Sequence, residues 1–302
     1  MKKQVLITGA TGMIGRKLIH ALQQSGHTVA VLSRKATQLP DVKVYLWDVY
    51  HSQIDPECMK GVDTVIHLAG ENIAEKKWTA KRKQQIIDSR VLSTHLLHQA
   101  IKTSGANVSS FISSSAVGYY GDCGDEILTE ESAPGYGFMA DCCKQWEAAV
   151  DQGKSLGMRI VKLRTGVILA KNEGALAAFE KPIRFFAGAA LGSGKQWIPW
   201  MHVDDMVAIY LYAVDNPLLS GPYNACAPFP VTNATLTKAI ARQLHRPVWP
   251  IHVPAALLRL LLGEMSEVVF NSTNTSAQKL LSADFRFKYT QLEAALSDIY
   301  GR

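Results

Sequence analysis

Three glycines near the start of the chain have the spacing of a phosphate-binding loop. Residues 8–15 read Thr-Gly-Ala-Thr-Gly-Met-Ile-Gly, after an apolar run and before a helical pattern. Gly9 allows a tight turn, Gly12 lets the backbone approach a diphosphate, and Gly15 lets the helix pack closely. Unpaired amides and the helix dipole attract negative charge to this point. We expect a dinucleotide here, held by Gly9, Thr11, Gly12, Met13, Ile14 and Gly15.

The residues after the second predicted strand indicate which dinucleotide is bound. Proteins that bind NAD usually place Asp or Glu there to hold the ribose hydroxyls. This strand ends Leu32-Ser33-Arg34-Lys35, without an acid. A carboxylate would repel a 2′-phosphate, whereas Ser33 and Arg34 can donate hydrogen bonds to it, and Arg34 can also stack on adenine. We therefore predict NADP as the cofactor.

Two further predicted strands end in residues that suit the same ligand. Asp48 follows the third strand and is placed to reach the adenine edge. Leu68, Ala69 and Gly70 follow the fourth strand and offer small residues to the ribose and the diphosphate. Both positions are carboxyl ends of parallel strands, where ligands bind in sheets of this kind.

Alternating strand and helix patterns position these residues over the first two thirds of the chain. Strands separated by helices imply right-handed crossovers. The predicted fold is therefore α/β: a doubly wound parallel Rossmann sheet with helices on both faces. The predicted strands span 5–8, 28–32, 42–47, 64–69, 111–115 and 159–164, and the predicted helices span 13–25, 80–103 and 138–156.

The pattern changes in the last third of the chain. Residues 174–194 are rich in Gly, Ala and Phe, and prolines recur beyond Gly221. We divide the chain into an NADP-binding Rossmann core, 1–170, and a mixed region, 171–302. Within the mixed region, residues from about 195 to 230 are expected to complete the core, and the rest to form a small C-terminal substrate cap.

Composition argues against several classes of protein. The net charge is +6, but the one dense basic cluster, 76–83, fits a solvated helix face or a patch that attracts phosphate-bearing ligands, so no nucleic-acid partner is expected. No apolar stretch reaches the length of a membrane span, and no signal peptide is recognisable. We predict a cytoplasmic protein without a membrane partner. Five cysteines without a C-x-x-C spacing predict buried thiols and no metal site.

Several longer motifs resemble one group of proteins along nearly the whole chain. The most specific is His-Leu-Ala-Gly-Glu-Asn-Ile at 67–73, and others lie at 113–121, 163–167 and 200–205. Together with the glycine loop they resemble the atypical extended short-chain dehydrogenase/reductases labelled nucleoside-diphosphate-sugar epimerases of unassigned substrate. This resemblance implies an NADP-linked Rossmann core and a small C-terminal substrate region.

The resemblance also implies roles for two residues. In the wider family a serine after the fifth strand hydrogen-bonds the substrate oxygen. Ser115 takes this role, with Ser114 as the alternative, although capping of the strand end would also explain a serine here. Arg90 stands where family members carry an asparagine that orders an active-site water. It can reach toward the cofactor phosphate or ribose, or simply face solvent.

The usual acid of such enzymes is missing at its expected place. The family uses a Tyr four residues before a Lys, whose charge lowers the pKa of the phenol. Aligning on Glu147 puts Cys143 at the Lys position and Met139 at the Tyr position, and neither side chain can replace the pair. Lys144 is one place late and points about 100° away around the helix. Tyr136 is then our first choice as proton donor, with two alternatives, Tyr119 and Tyr120.

These observations leave more than one function open. We favour an oxidoreductase acting on a small carbonyl or nucleotide-sugar-like substrate over a protein that binds NADP(H) without turnover. The protein is expected to be a monomer or a homodimer. His202 with Asp204 and Asp205 invites a metal or triad hypothesis, but we favour an Asp N-cap that opens a helix.

Overall fold

A parallel sheet forms the centre of the molecule in the computed structural model, which describes residues 2–301. Its strand order is β12-β8-β6-β5-β1-β2-β3-β4, and only β4 runs antiparallel to its neighbour. The strands are β1 Gln4–Thr8, β2 Thr28–Ser33, β3 Lys43–Asp48, β4 Gln53–Ile54, β5 Thr64–His67, β6 Ser110–Ala116, β7 Ile127–Leu128, β8 Arg159–Thr165, β9 Val167–Leu169, β10 Trp197–Ile198, β11 Trp200–His202, β12 Gly221–Ala225, β13 Val231–Thr232 and β14 Asn274–Thr275.

Helices cover both faces of this sheet. They are α1 Met13–Gln24, α2 Ala80–Ser104, α3 Phe138–Asp151, α4 Gly174–Arg184, α5 Val203–Asp215, α6 Asn233–Leu244, α7 Ala255–Leu262, α8 Glu267–Phe270, α9 Gln278–Ser282 and α10 Leu292–Tyr300. The predicted helix 138–156 ends early, at Asp151, and continues as a 3₁₀ turn, Gln152–Leu156. The turn sets Gly153 where a Cβ would lie 2.8 Å from Cε of Met158.

The strands are apolar on both faces because each face is buried under helices. In β1, Val5 and Ile7 pack with α1 and α5, whereas Leu6, pointing the other way, packs with α2 and α3. This alternation confirms the predicted Rossmann fold with helices on both faces. Because both faces are buried, β1 and β2 have continuous apolar sequences and not an alternation of apolar and polar residues.

The strand order creates a crevice between β1 and β5. From β1 the chain proceeds outward through β2 and β3, and then returns to β5, β6, β8 and β12 on the other side. At such a reversal the loops after neighbouring strands diverge and leave an opening at the carboxyl edge of the sheet. The glycine loop after β1 and the segment after β5 therefore face each other across this opening.

The last third of the chain contributes to two cores. Strand β12 joins the main sheet beside β8, and α5 packs against α1. A second apolar cluster is formed by α4, α6 and α10, with Trp200, Leu236 and Leu296 fully buried. The central sheet contains strands from both sides of residue 170, and the predicted domain boundary there remains a prediction. Met1 and Arg302 lie outside the described residues. Over 2–301, no helix combines the length and the apolar character needed to cross a membrane.

Candidate active site

The glycine loop after β1 is shaped by contacts that exclude side chains. Gly9 has a φ of 70°, and a Cβ there would lie 2.8 Å from the carbonyl carbon of Leu68. A Cβ on Gly15 would lie 2.6 Å from Cα of Ala10, so α1 packs directly against the loop. Gly12 is the N-cap of α1 and supplies no side-chain hydrogen bond. The first amides of the helix therefore lack a side-chain cap and suit an anionic ligand.

A buried relay fixes the end of β5 beside this loop. Oγ1 of Thr8 accepts the backbone N–H groups of Leu68 and Ala69, each at 3.1 Å, and lies 2.7 Å from Nδ1 of His67. Nε2 of His67 lies 3.0 Å from Oγ of Ser93 on α2. Burial lowers the pKa of His67 to about 3, so the ring is neutral at physiological pH. This relay holds Leu68 and Ala69, two predicted cofactor contacts, at the rim of the crevice.

The ends of β2 and β5 bring together two arginines and one acid. Arg34 is 73% exposed and pairs with Oε1 of Glu71 at 3.2 Å, while Arg82 donates to Oε2 of Glu71 at 3.0 Å. Burial raises the pKa of Glu71, but the hydrogen bond and charge of Arg82, with the charge of Arg34, bring it below its usual value. Glu71 is therefore an ionised link that orients both guanidinium groups at this edge.

The sequence analysis did not identify Glu71 and Arg82 as members of the site. Glu71 lies within the His-Leu-Ala-Gly-Glu-Asn-Ile motif, and Arg82 lies within the basic cluster on α2, for which the sequence predicts a solvated helix face or a patch that attracts phosphate-bearing ligands. Arg82 is in fact buried. A further aromatic residue, Tyr50, is half-exposed after β3 and lies in the electrostatic field of Glu71, Arg34 and Arg82. These residues lie far apart in the sequence, so their proximity could not be predicted from it.

Asp48 and Arg90 make contacts that the sequence did not foresee. The carboxylate of Asp48 accepts the backbone N–H groups of Tyr50 and His51 and pairs with the ring of His51. It therefore caps the turn after β3. Arg90 donates to the carbonyl of Glu71 at 3.1 Å and stacks over Trp146. A Cβ on Gly70 would lie 3.0 Å from Cζ of Arg90, so Gly70 makes room for the guanidinium. Their cofactor contacts remain predictions.

The serines at the end of β6 face opposite sides of the sheet. Ser114 points toward α5, where its hydroxyl pairs with that of Tyr210. Ser115, which is 3% exposed, donates to Oε1 of Glu147 on α3 at 2.7 Å. Because this proton is already shared with a carboxylate, Ser115 must rotate before it can donate to a substrate oxygen. The predicted role of Ser115 remains a prediction.

Glu147 belongs to a buried ion cluster. Arg164 donates to both carboxylate oxygens, at 2.8 and 3.0 Å, and Lys162 lies 3.1 Å from one of them. Burial raises the pKa of Glu147, but these cations and Ser115 more than offset that effect and lower it. The cluster ties α3 to β6 and β8 directly beneath the predicted reaction site. Because its members lie far apart in the sequence, only the fold reveals it.

The three candidate phenols have different environments. Tyr120 is buried, accepts from Arg164 and donates to Asn224, and burial raises its pKa to about 12. Tyr136 is 93% exposed, in a loop where Gly135 presses against the carbonyl of Tyr120. Tyr119 is partly buried, with its ring 3.6 Å from the guanidinium of Arg164. Within the part of the chain that the structure describes, its hydroxyl forms no hydrogen bond. Of the three candidates, Tyr119 therefore combines a partly buried ring with a hydroxyl that is not engaged by the described residues.

The helix that usually supplies the Tyr and Lys carries other groups here. Met139 and Cys143 are both buried, and Met139 covers Gly118. Burial raises the pKa of the Cys143 thiol to about 12, so it provides neither a cation nor a thiolate. Lys144 forms a surface ion pair with Asp141 at 2.6 Å. The helix therefore offers no cation at the position where the family's lysine acts.

His202 caps a helix. Its Nδ1 accepts the N–H of Asp204 at 3.1 Å, so the N-cap of α5 is His202 and the predicted Asp N-cap is wrong. The neutral ring must then carry its proton on Nε2, the atom that faces Asp298 at 3.4 Å. Asp205 accepts the backbone N–H groups of Lys288 and Tyr289. These are structural hydrogen bonds, and Nε2 in this state has no lone pair for a metal.

Comparisons with known proteins agree with this geometry. The model of the NAD dependent epimerase/dehydratase family matches residues 5–226. The chain belongs to this family. A model described as a domain of unknown function (DUF1731) matches residues 253–299. Epimerase family proteins of Mycobacterium leprae and Staphylococcus aureus are each 34% identical, over 98% of this chain and 95% and 99% of their own length.

Solved structures show the same fold. The human epimerase family protein SDR39U1, solved with NADPH, is 28% identical with a TM-score of 0.86, covering 99% of both chains. A nucleoside-diphosphate sugar epimerase from Corynebacterium glutamicum is 35% identical over the whole chain with a TM-score of 0.82, although this chain spans only 59% of its length. A UDP-glucose 4-epimerase from Thermus thermophilus, solved with NAD, is 20% identical with a TM-score of 0.76, which shows the fold alone.

Proposed function

We propose that this protein binds NADP(H) and reduces or oxidises a small carbonyl or nucleotide-sugar-like substrate. The observation that carries the choice of cofactor is the exposed Arg34 at the end of β2. Among the described residues, Glu71 engages one of the five N–H groups of Arg34, so the others can meet a 2′-phosphate. Arg82 offsets the charge of Glu71, which would otherwise repel a phosphate. The NADPH in the human relative supports the same choice.

The described residues fit a dinucleotide along the carboxyl edge of the sheet. The first amides of α1, together with Gly9 and Thr11, would hold the diphosphate, and Ser33 and Arg34 the 2′-phosphate. Tyr50 is proposed here as a further neighbour of the adenine. When bound, the nicotinamide supplies or accepts a hydride. The protein would orient the substrate carbonyl and move one proton to or from its oxygen.

For the proton we propose Tyr119 in place of our first choice, Tyr136. Tyr119 is partly buried, its hydroxyl forms no hydrogen bond within residues 2–301, and its ring lies on Arg164, a permanent cation. Tyr136 would reach the site only if its loop moved, since its ring is almost entirely in solvent. Ser115 would position the substrate oxygen after releasing Glu147.

A second candidate function is binding of NADP(H) without turnover, as a sensor. Its support is the helix α3, where buried Met139 and Cys143 replace the acid and its cation. Both functions require the same cofactor site, so they differ only at the reaction end of the crevice.

Cofactor preference is tested by titrating the protein with NADPH and NADH and following nucleotide fluorescence. We expect tighter binding of NADPH, and we expect Arg34→Ala to weaken it by about 1–3 kcal/mol with little effect on NADH. Lys35→Ala, which alters an exposed neighbour, is the matched control. Tighter binding of NADH by the unaltered protein would contradict the proposal.

Turnover is tested by following NADPH absorbance with a panel of ketones, aldehydes and nucleotide sugars. If the protein is an enzyme, Tyr119→Phe and Ser115→Ala each reduce turnover by about 10²-fold or more with NADPH affinity preserved. Tyr136→Phe is the control and should leave turnover unchanged. Tight NADPH binding with no turnover on any compound would favour the sensor.

A further inference from the structure

The helix α7 exposes an unusual amount of apolar surface. Three of its leucines, 257, 260 and 261, are spaced as one helix stripe and face solvent, and only Leu258 is fully packed. More exposed apolar residues lie just before α7 and at the end of α4. We define the apolar surface as the following residues, each between 45% and 78% exposed: Phe185, Phe186, Trp249, Ile251, Leu257, Leu260 and Leu261.

Hydrogen bonds join the segments that carry this surface. Nε1 of Trp249 donates to the carbonyl of Phe186 at 2.7 Å, and the backbone N–H of Trp249 donates to Gly188 at 2.8 Å. The N–H of Val253 donates to Ala190 at 2.8 Å, and Pro254 follows as the N-cap of α7. The end of α4 and the segment leading into α7 are therefore held side by side. Single exposed apolar residues are common, but a group of this size marks a contact surface.

The charged residues in the chain segment that leads into and through α7 are all basic. No Asp or Glu occurs from residue 216 to 263, while Lys238, Arg242, Arg246 and Arg259 fall in this stretch. The guanidinium groups of Arg246 and Arg259 lie over the rings of Phe186 and Phe270, at 4.6 and 5.3 Å. The next acids, Glu264 and Glu267, are directed to Lys83 and to the N–H of Met139.

We propose that this surface seats the protein on an anionic membrane. Aromatic and leucine side chains enter the boundary between headgroups and acyl chains, and arginines beside them meet anionic headgroups. A second copy of the chain fits less well, since a two-fold contact would bring the same basic residues together. The sequence-based expectation of no membrane partner rested on the lack of a spanning segment, and a surface-seated helix needs none.

The apolar surface spans two regions of the chain, since Phe185 and Phe186 lie within the epimerase family match, residues 5–226, and the leucines of α7 lie beyond it. Helix α7 lies within the match to the domain of unknown function, residues 253–299. The segment after it contacts α3, where Met265 packs in the cluster of Trp78 and Met139. Seating α7 on a membrane would thus use no residue of the proposed cofactor site.

The test is co-sedimentation of the full-length protein with vesicles of phosphatidylcholine alone and of phosphatidylcholine mixed with phosphatidylglycerol. We expect binding to the mixed vesicles that weakens with added salt. Leu260→Glu should reduce the affinity by at least about tenfold, because it removes apolar contact and adds a negative charge. Arg246→Gln and Arg259→Gln should each reduce it by about fivefold.

Matched controls separate this effect from loss of structure. Leu218→Glu alters a leucine that is 87% exposed outside the apolar surface, and Lys102→Gln removes an exposed cation from α2. Both should bind vesicles as the unaltered protein does, and NADPH affinity should be unchanged in every variant. A folded protein that binds neither kind of vesicle overturns the proposal. So does a concentration-dependent dimer, seen by sedimentation velocity and lost in Leu260→Glu, when lipid binding is absent.

Discussion

The phosphate loop and the reaction end of the crevice lie along one edge of one sheet but are built differently. At the phosphate loop the shape comes from backbone, since Gly9 and Gly15 stand where any Cβ would strike other main-chain atoms. At the reaction end the shape comes from side chains, with Ser115, Glu147 and Arg164 buried in one ion cluster. Glycines that are required by close backbone contacts can be recognised from their spacing in the sequence. A side-chain cluster assembled from β6, α3 and β8 cannot be recognised in this way.

The difference has a chemical consequence. The phosphate end retains the features that hold a dinucleotide, whereas α3 has Met139 and Cys143 in place of a proton donor and its cation. Lys144, the lysine of α3, lies in a surface ion pair with Asp141, and Lys162 of β8 is paired with Glu147 in the buried cluster. The proposed cofactor site and the proposed reaction site thus rest on separate groups of residues, so changes at one end should leave the other intact.

The largest effect is expected from Arg164→Leu, at the reaction end. Glu147 would remain buried with Lys162 as its main cation, so the free energy of unfolding should fall by about 3–5 kcal/mol. Denaturant unfolding measures this. Arg16→Leu is the control, because it breaks a surface pair with Glu173 and should cost about 1 kcal/mol or less. Equal costs for the two variants would mean that the buried cluster does not organise this end.

A somewhat smaller effect is expected from Gly15→Ala, at the phosphate loop. The added Cβ would lie 2.6 Å from Cα of Ala10 and from the carbonyl oxygen of Gly9. We expect a loss of about 3 kcal/mol in stability, together with loss of measurable NADPH binding in a fluorescence titration. Gly105→Ala is the control: its φ of 64° causes strain, but no atom lies within 4 Å of the new Cβ. It should cost about 1 kcal/mol and leave NADPH binding unchanged.

Acid should destabilise the fold through buried histidines that lie away from the ion cluster. Burial lowers the pKa of His67 to about 3 and that of His98 to about 4, both below the ordinary value of 6.5. Between these values the unfolded chain binds more protons than the folded one, so stability falls as the pH drops below 6.5. The expected slope is about 1.4 kcal/mol per pH unit for each histidine, down to its folded pKa.

His98→Leu separates the two contributions. Both ring nitrogens of His98 lack a partner within residues 2–301, so the change should not cost a hydrogen bond. It should reduce the slope of unfolding free energy against pH between 6.5 and about 4, as measured by denaturant titrations across that range. His20→Gln, at the surface, is the control. An unchanged slope in His98→Leu would refute the assignment.

The smallest effect is expected from Lys144→Ala. The lysine forms an exposed i,i+3 pair with Asp141, so stability should change by less than about 0.5 kcal/mol. NADPH affinity and any turnover should remain as they are. A large loss of turnover would show that Lys144 serves the reaction after all, and the contrast between the two ends would no longer hold.

The sequence by itself determined the fold and the phosphate end. Strands buried on both faces appear as apolar runs, and glycines required by close backbone contacts appear as a fixed spacing, because both causes act within a few residues. The sequence of α3 also shows that Met139 and Cys143 stand at the positions where the family carries Tyr and Lys.

Only the tertiary structure decided which distant residues meet. Ser115 proved to be bound to Glu147, Tyr136 to lie in solvent, and His202 to cap α5 in place of an aspartate. The pairing of Arg34 with Glu71, and of Glu71 with Arg82, joins β2, β5 and α2. Side-chain contacts between elements depend on strand order and helix orientation, which residue types and local spacing do not encode.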